Sequence, residues 1–206
     1  MRRQGAIAVL IMAIVLLGSW NPRTASRVAA EGTLSKAYFA GGCFWCMEEA
    51  FEKVEGVLSA TSGYMGGTVA NPSYETVSAG RTGHAESIEV VYDPAKVSYQ
   101  KLLEAFWHNV DPVTPNAQFC DHGSQYRSAI FFQTEQEKSA SDSSKQAIEQ
   151  SKRFNQPIVT QIVMASQFYP AEEYHQDYYK KNPFRYKVYK YNCGRAKRLE
   201  ELWGKP

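Results

Sequence analysis

The stretch Gly41-Gly42-Cys43-Phe44-Trp45-Cys46-Met47-Glu48-Glu49 decides how the rest of the chain is read. Just upstream, residues 34–40 include Ala37, Tyr38 and Phe39 and predict a short strand. Downstream, Cys43, Cys46, Met47, Ala50 and Val54 recur at helical spacing. Cys43 is therefore expected as the first residue of a helix that follows a strand. First-turn N–H groups and the helix dipole favour a thiolate there, and the thiolate is the nucleophilic form of cysteine. The glycine pair lets the backbone turn tightly and leaves the sulfur uncovered. A core cysteine beside two core aromatics would look alike locally, and C-x-x-C near a strand and helix also fits redox or metal chemistry. The remaining chain has to discriminate.

Residues 1–30 open with Arg2 and Arg3, continue through an apolar run from Ala6 to Leu17, and end in Val28-Ala29-Ala30. This is the layout of a secretory signal peptide with small residues before the cut. The run is shorter than the roughly 20 residues of a spanning helix, so an uncleaved N-terminal anchor is the second reading. The segment holds four arginines and no acid, so its removal leaves 19 basic against 21 acidic residues, a net charge of −2. A nucleic-acid partner would call for a basic excess. The remaining 176 residues suit one domain with a proper core. All four cysteines, Cys43, Cys46, Cys120 and Cys193, follow the cut and would meet an oxidising, periplasmic or otherwise extracytoplasmic compartment.

Residues 57–65 predict a strand that ends at Gly66-Gly67, and residues 68–83 a turn-rich loop around Asn71-Pro72-Ser73-Tyr74. Residues 84–92 predict a strand in which Glu86, Ile88, Val90 and Tyr92 share one face by period-two alternation. A glutamate is ordinarily a solvated residue. On an apolar face it would be desolvated, its pKa raised, and it would become a proton donor. Ser98 caps a helix with a Leu102, Leu103, Phe106, Val110 stripe. Residues 116–126 form a second long loop holding Cys120, Asp121, His122, Gln125 and Tyr126, a density of reactive types that favours a site over packing. A strand over 127–133, a helix from the Thr134 cap to about 154, and a strand over 157–164 follow. Residues 168–191, dense in Tyr and Phe among charges, are too polar for a core strand; residues 168–178 read as an aromatic surface segment wrapped on the domain, and residues 194–203 as a terminal helix. The irregular order of strands and helices predicts a mixed sheet with packed helices.

A zinc site would need three or four ligands, and no second C-x-x-C or H-x-x-x-H accompanies Cys43 and Cys46. A thioredoxin-like domain would be shorter and would lack these loops. Taken together, the nucleophile Cys43, the acid Glu86, the phenols of Tyr74, Tyr126 and Tyr178, and an apolar wall of Phe44 and Trp45 describe a small pocket with one oxygen-binding corner. This set resembles the A-type peptide-methionine sulfoxide reductase family. The resemblance runs through Gly-Cys-Phe-Trp at 42–45, Ser-Gly-Tyr-Met-Gly-Gly at 62–67 and Gly-His-Ala-Glu at 83–86. It continues through Tyr-Asp-Pro at 92–94, Gly-Ser-Gln-Tyr-Arg-Ser at 123–128 and Tyr-His-Gln-Asp-Tyr at 174–178.

The resemblance implies a single α+β domain over residues 35–206, a mixed sheet with packed helices and a ferredoxin-like core. It implies reduction of the S epimer of methionine sulfoxide, free or in proteins, and so repair of oxidised exported proteins. Cys43 would attack the sulfur, Phe44 and Trp45 would receive the methyl group, and Glu86 would protonate the oxygen. Tyr74, Tyr126 and Tyr178 would donate hydrogen bonds to that oxygen, and Asp121 would support the pocket. No bound cofactor and no metal are expected, the partners being oxidised methionine and a thioredoxin-like dithiol as electron donor, the chain a monomer that meets a membrane only through an uncleaved N-terminus. The sulfenic acid left on Cys43 needs a second thiol. Many relatives have Gly in place of Cys46, so Cys46, Cys193 and Cys120 all stand as resolving candidates. Cα atoms one helical turn apart, about 5–6 Å, lie within disulfide range. A module that only bound oxidised peptides would need the pocket and no resolving thiol.

Overall fold

Alternation along the strands sorts their side chains into two layers, and the helices follow from that sorting. The computed structural model describes residues 33–205; the signal-peptide reading of residues 1–30 lies outside them. In chain order the elements are β1 (Ser35–Gly41), α1 (Phe44–Glu52), β2 (Val57–Met65), α2 (Tyr74–Ser78), β3 (Ala85–Tyr92) and α3 (Tyr99–Trp107). Two-residue strands β4 (Ala117–Gln118) and β5 (Asp121–His122) precede β6 (Ser128–Phe132), α4 (Glu135–Gln150), β7 (Gln161–Met164) and β8 (Tyr169–Pro170). Helices α5 (Tyr178–Lys181), α6 (Pro183–Asn192) and α7 (Arg195–Trp203) close the chain.

The main sheet runs β7-β6-β1-β3-β2-β8, with β6 and β7 parallel and every other pair antiparallel. Its inner four strands, β6-β1-β3-β2, are joined through α1 and α3 as a split βαβ pair, the ferredoxin-like arrangement. The mixed α+β expectation is met. Phe39, Ile88 and Val90 of one face pack against Phe44, Met47 and Phe51 of α1 and Leu102 and Phe106 of α3. The Phe39 ring lies 4.9 Å from Phe51 and 5.3 Å from Phe106, and burial of each such side chain contributes about 1.5–3 kcal/mol. Glu86 shares this face, opposite Tyr64 of β2. The other face carries a smaller cluster around Met65, Phe131 and Phe168.

Two stretches differ from the sequence reading. The loop over residues 68–83 contains α2, started by Ser73, whose side chain accepts from Thr76 N while Thr76 Oγ1 accepts from Ser73 N. Past the wrapped stretch 168–178, the remaining aromatic-rich residues to 191, for which the sequence reading gives no element, are helical in α5 and α6. Pro183 opens α6 at a position where its missing N–H costs nothing. Only Tyr186 of that helix is buried, while Phe184 and Tyr191 point outward, so no apolar stripe marks it in the sequence. Helix α7 lies as expected, with Leu202 buried and Trp203 Nε1 donating to Val110 O. Among the described residues no helix is long and apolar enough to cross a membrane.

Candidate active site

The turn from β1 into α1 needs its glycine. Gly42 has φ +80°, and a Cβ there would lie 2.4 Å from Cβ of Gln118. Gln118 is itself fixed, its amide exchanging two hydrogen bonds with the backbone of Asp111. This interlock sets Cys43 as the N-cap of α1, with its carbonyl accepting from Cys46 N and Met47 N. The first-turn N–H of Phe44 donates 3.0 Å to Glu86 Oε2, so the helix start is spent on the carboxyl and not on the sulfur. The sequence argument for a helix-stabilised Cys43 thiolate is corrected accordingly: burial, then the neighbouring Cys46 and Glu86, push the Cys43 thiol well up.

Cys43, Phe44, Trp45, Tyr74, Glu86, Asp121, Tyr126 and Tyr189 line one cavity of about 60 Å³. That is roughly two water volumes, room for the tip of a side chain. Burial raises the Glu86 carboxyl to about 8, only partly offset by the Phe44 N–H. Glu86 thus keeps its proton at neutral pH. Tyr74, pushed to about 12 by burial and by Glu86, and Tyr126, pushed higher still by the same causes, stay protonated donors. The corner therefore combines one carboxylic acid and two phenols opposite a sulfur and two aromatic rings.

The second sulfur of the C-x-x-C has different surroundings. Cys43 and Cys46 are both free and buried, and each thiol acts on the other's acidity. The Cys43 thiol's hydrogen bond pulls Cys46 down to about 6 against the cost of burial, helped by Arg195, Tyr186 and Lys190. Of the two sulfurs Cys43 is thus pushed up and Cys46 down. Cys120 and Cys193 are joined in a disulfide across 73 residues, tying the loop next to Asp121 to the end of α6.

The peptide methionine sulfoxide reductase family model matches residues 35–206. The chain is 47% identical over 175 residues to peptide methionine sulfoxide reductase MsrA of Halalkalibacterium halodurans, covering 85% of this chain and 99% of that protein. It is likewise 47% identical to the MsrA of Listeria monocytogenes, over 83% of this chain and 97% of that one. This chain belongs to the peptide methionine sulfoxide reductase family. Among solved structures, Mxr1 of Saccharomyces cerevisiae in reduced form superposes with a TM-score of 0.69 at 31% identity, over 73% of this chain and 87% of that one. Methionine sulfoxide reductase A of Corynebacterium diphtheriae gives 0.64 at 32% identity, over 75% and 77%. The chain is an MsrA-type oxidoreductase.

Most residues singled out for this reductase from sequence share the cavity; Tyr178 does not line it. Its ring instead stacks on Trp45, centroids 3.8 Å apart and planes 9° from parallel. The phenol that completes the reductase cavity is Tyr189, which donates 2.5 Å to Asp121 Oδ2 and also reaches Cys43. Other members of the 174–178 motif hold the wall rather than form it. His175 Nδ1 accepts from Trp45 Nε1 at 3.1 Å, Gln176 bonds both the N–H and the carbonyl of Ser62, and Asp177 N donates to Glu48 Oε1. Glu172 accepts from Tyr74 N and from Tyr64 Oη, fixing the start of α2 and so Tyr74. Tyr189, Tyr186, Lys190 and Arg195 were missed because they belong to the C-terminal helices, and no local pattern links those to residue 43. The tyrosine spacing at 186 and 189, one face of a helix, was the available signal.

Proposed function

We propose that this protein reduces the S epimer of methionine sulfoxide, free and in proteins, through a Cys43 sulfenic acid and a Cys43–Cys46 disulfide that a thioredoxin-like dithiol regenerates. The observation that carries the reading is that Cys43 shares its 60 Å³ cavity with a protonated, buried Glu86 and has Cys46 one turn behind it. Sulfoxide oxygen is a strong acceptor but a poor leaving group, so its protonation must accompany attack at sulfur. Cys43 passes its thiol proton to Cys46 and its sulfur attacks the substrate sulfur while Glu86 protonates the oxygen, which Tyr74 and Tyr126 hold; the S–O bond breaks and the oxygen leaves as hydroxide. That hydroxide attacks Cys43 sulfur, the bond between the two sulfurs breaks, and methionine leaves with Cys43 as sulfenic acid. Cys46 sulfur then displaces the hydroxyl as water, forming the disulfide.

Sulfur, oxygen and methyl are each met by a different wall: Cys43, the acid–phenol corner, and Phe44 with Trp45. Three fixed points suffice to reject the mirror arrangement. The Cys120–Cys193 bond leaves Cys46 as the reduced partner closest in sequence, which favours it over the other two candidates. A thioredoxin-like donor is supported by Mxr1, which has also been solved in complex with Trx2. Dithiol-dependent methionine formation from one sulfoxide epimer, with mass mapping of the disulfide after a single turnover, tests the reading. A bond from Cys43 to any sulfur other than Cys46 overturns the resolving role. Export with loss of residues 1–30 is part of the same proposal, and a mature chain beginning at Glu31, read by N-terminal sequencing, is its expected outcome.

A further inference from the structure

Cys46 also borders a second cavity, of about 600 Å³, whose lining shares no residue with the cavity around Cys43 and Glu86. Helix α1 and its C-cap contribute Cys46, Ala50 and Lys53 to it, and the C-terminal helices and tail contribute Lys190, Arg195 and Lys205. Glu49 and Glu200 are the only acids of the lining, against those four Lys and Arg residues, an excess of two positive charges. Glu49 is already engaged by Lys190, Lys53 and Tyr186. A space of this size accepts a small molecule, where the 60 Å³ cavity accepts only a side-chain tip.

We propose that the 600 Å³ cavity binds a small anionic thiol, of tripeptide size and bearing carboxylates, which opens the oxidised enzyme by attack on Cys46 Sγ. The inference rests on the Cys43–Cys46 disulfide put forward above. A first thiolate bonds to Cys46 Sγ and the Cys43–Cys46 bond breaks, Cys43 leaving as the thiolate. A second thiolate then attacks the external sulfur, Cys46 leaves, and the two small thiols depart as their own disulfide. Two electrons pass to the enzyme and the two thiols supply the two protons. Leaving-group acidity alone would favour attack at Cys43, with Cys46 expelled, but exchange also depends on access. Cys43 lines the small cavity, whereas Cys46 lines the large, basic one. Substrate and reductant thus approach the same sulfur pair from different cavities.

The test oxidises the enzyme by one turnover, confirms the Cys43–Cys46 bond by mass, and follows its opening by glutathione and by uncharged dithiothreitol. Ala50→Leu, which narrows the cavity one turn from Cys46, is expected to slow opening by both thiols about tenfold. Lys53→Glu is expected to slow glutathione about fivefold relative to dithiothreitol at low salt, the difference shrinking in high salt. One equivalent of glutathione is expected to be found on Cys46 by fragment mass mapping. Equal rates for wild type and both variants, or glutathione on Cys43, overturn the proposal. Absence of the Cys43–Cys46 bond after turnover is scored before any thiol is added, and overturns the reading beneath it as well.

Discussion

The two sulfurs of the C-x-x-C sit one helical turn apart in opposite surroundings. Cys43 faces a cavity of about 60 Å³ built on the central sheet, beside a carboxyl that keeps its proton; Cys46 faces about 600 Å³ built by the last two helices, beside Arg195 and Lys190. Burial acts on both, so burial does not set them apart. The neighbours do: at Cys43 they add to the upward push of burial, whereas at Cys46 the Cys43 thiol, with Arg195, Tyr186 and Lys190, outweighs burial and pulls the group to about 6. One turn of helix thus separates a small chamber with a raised carboxyl from a larger cationic one, and the proposed sulfoxide and thiolate ask for those two environments respectively.

The largest expected effect breaks the comparison at its sulfurs. Cys43→Ser should lower methionine formation by about 10⁴-fold or more, to background. Cys46→Ser should still release one equivalent of methionine and then stop, with a dimedone-reactive sulfenic acid on Cys43. Stoichiometric release from Cys43→Ser would reverse the two roles. Next comes the carboxyl. Glu86→Gln should slow the first turnover by about 10²–10⁴-fold. The kcat/KM profile should fall below about pH 6, where the sulfur pair takes up its second proton, and above about pH 8, where Glu86 ionises. In Glu86→Gln the alkaline limb should vanish, and its persistence would assign the acid to another group. The smallest effect on chemistry sharpens the comparison from the tail. Cys193→Ser opens a 73-residue loop, for which chain entropy predicts a loss of about 4 kcal/mol. A melting temperature lower by about 10 °C, with first-turnover rate reduced several-fold at most, is expected. A loss as large as that of Cys43→Ser would make the bond part of the chemistry.

The chamber around Cys43 was legible because its residues announce themselves locally. Alternation alone put Glu86 on the apolar face of β3, and the Gly-Gly-Cys run fixed the strand-to-helix turn. The chamber around Cys46 was not legible. Helix α6 buries only Tyr186, its aromatics face both ways, and Arg195 reads as one charge among several in a polar helix. Yet Arg195 is buried, donating to Asn109 O and to Gly41 O at the base of the nucleophile's turn. The place of Tyr178 was hidden for a related reason: a phenol in an aromatic-rich motif can present its face as well as its hydroxyl, and here its ring stacks 3.8 Å from that of Trp45, outside the small cavity's lining. The Cys120–Cys193 pairing spans too much chain for spacing to reveal it.

The bonds between α1 and the C-terminal segment join residues 129 to 141 positions apart: Glu48 with Asp177, Trp45 with His175, Glu49 with Tyr186 and Lys190. Contacts of that reach form late and slow the approach to the native state. During synthesis the two sulfurs and the carboxyl are made in the first half of the chain, while the ring that closes their chamber and the cations that draw charge to Cys46 are made in its last thirty-odd residues. A polypeptide without the C-terminal helices therefore carries Cys43, Cys46 and Glu86 but not the ring and the cations that surround them in the fold.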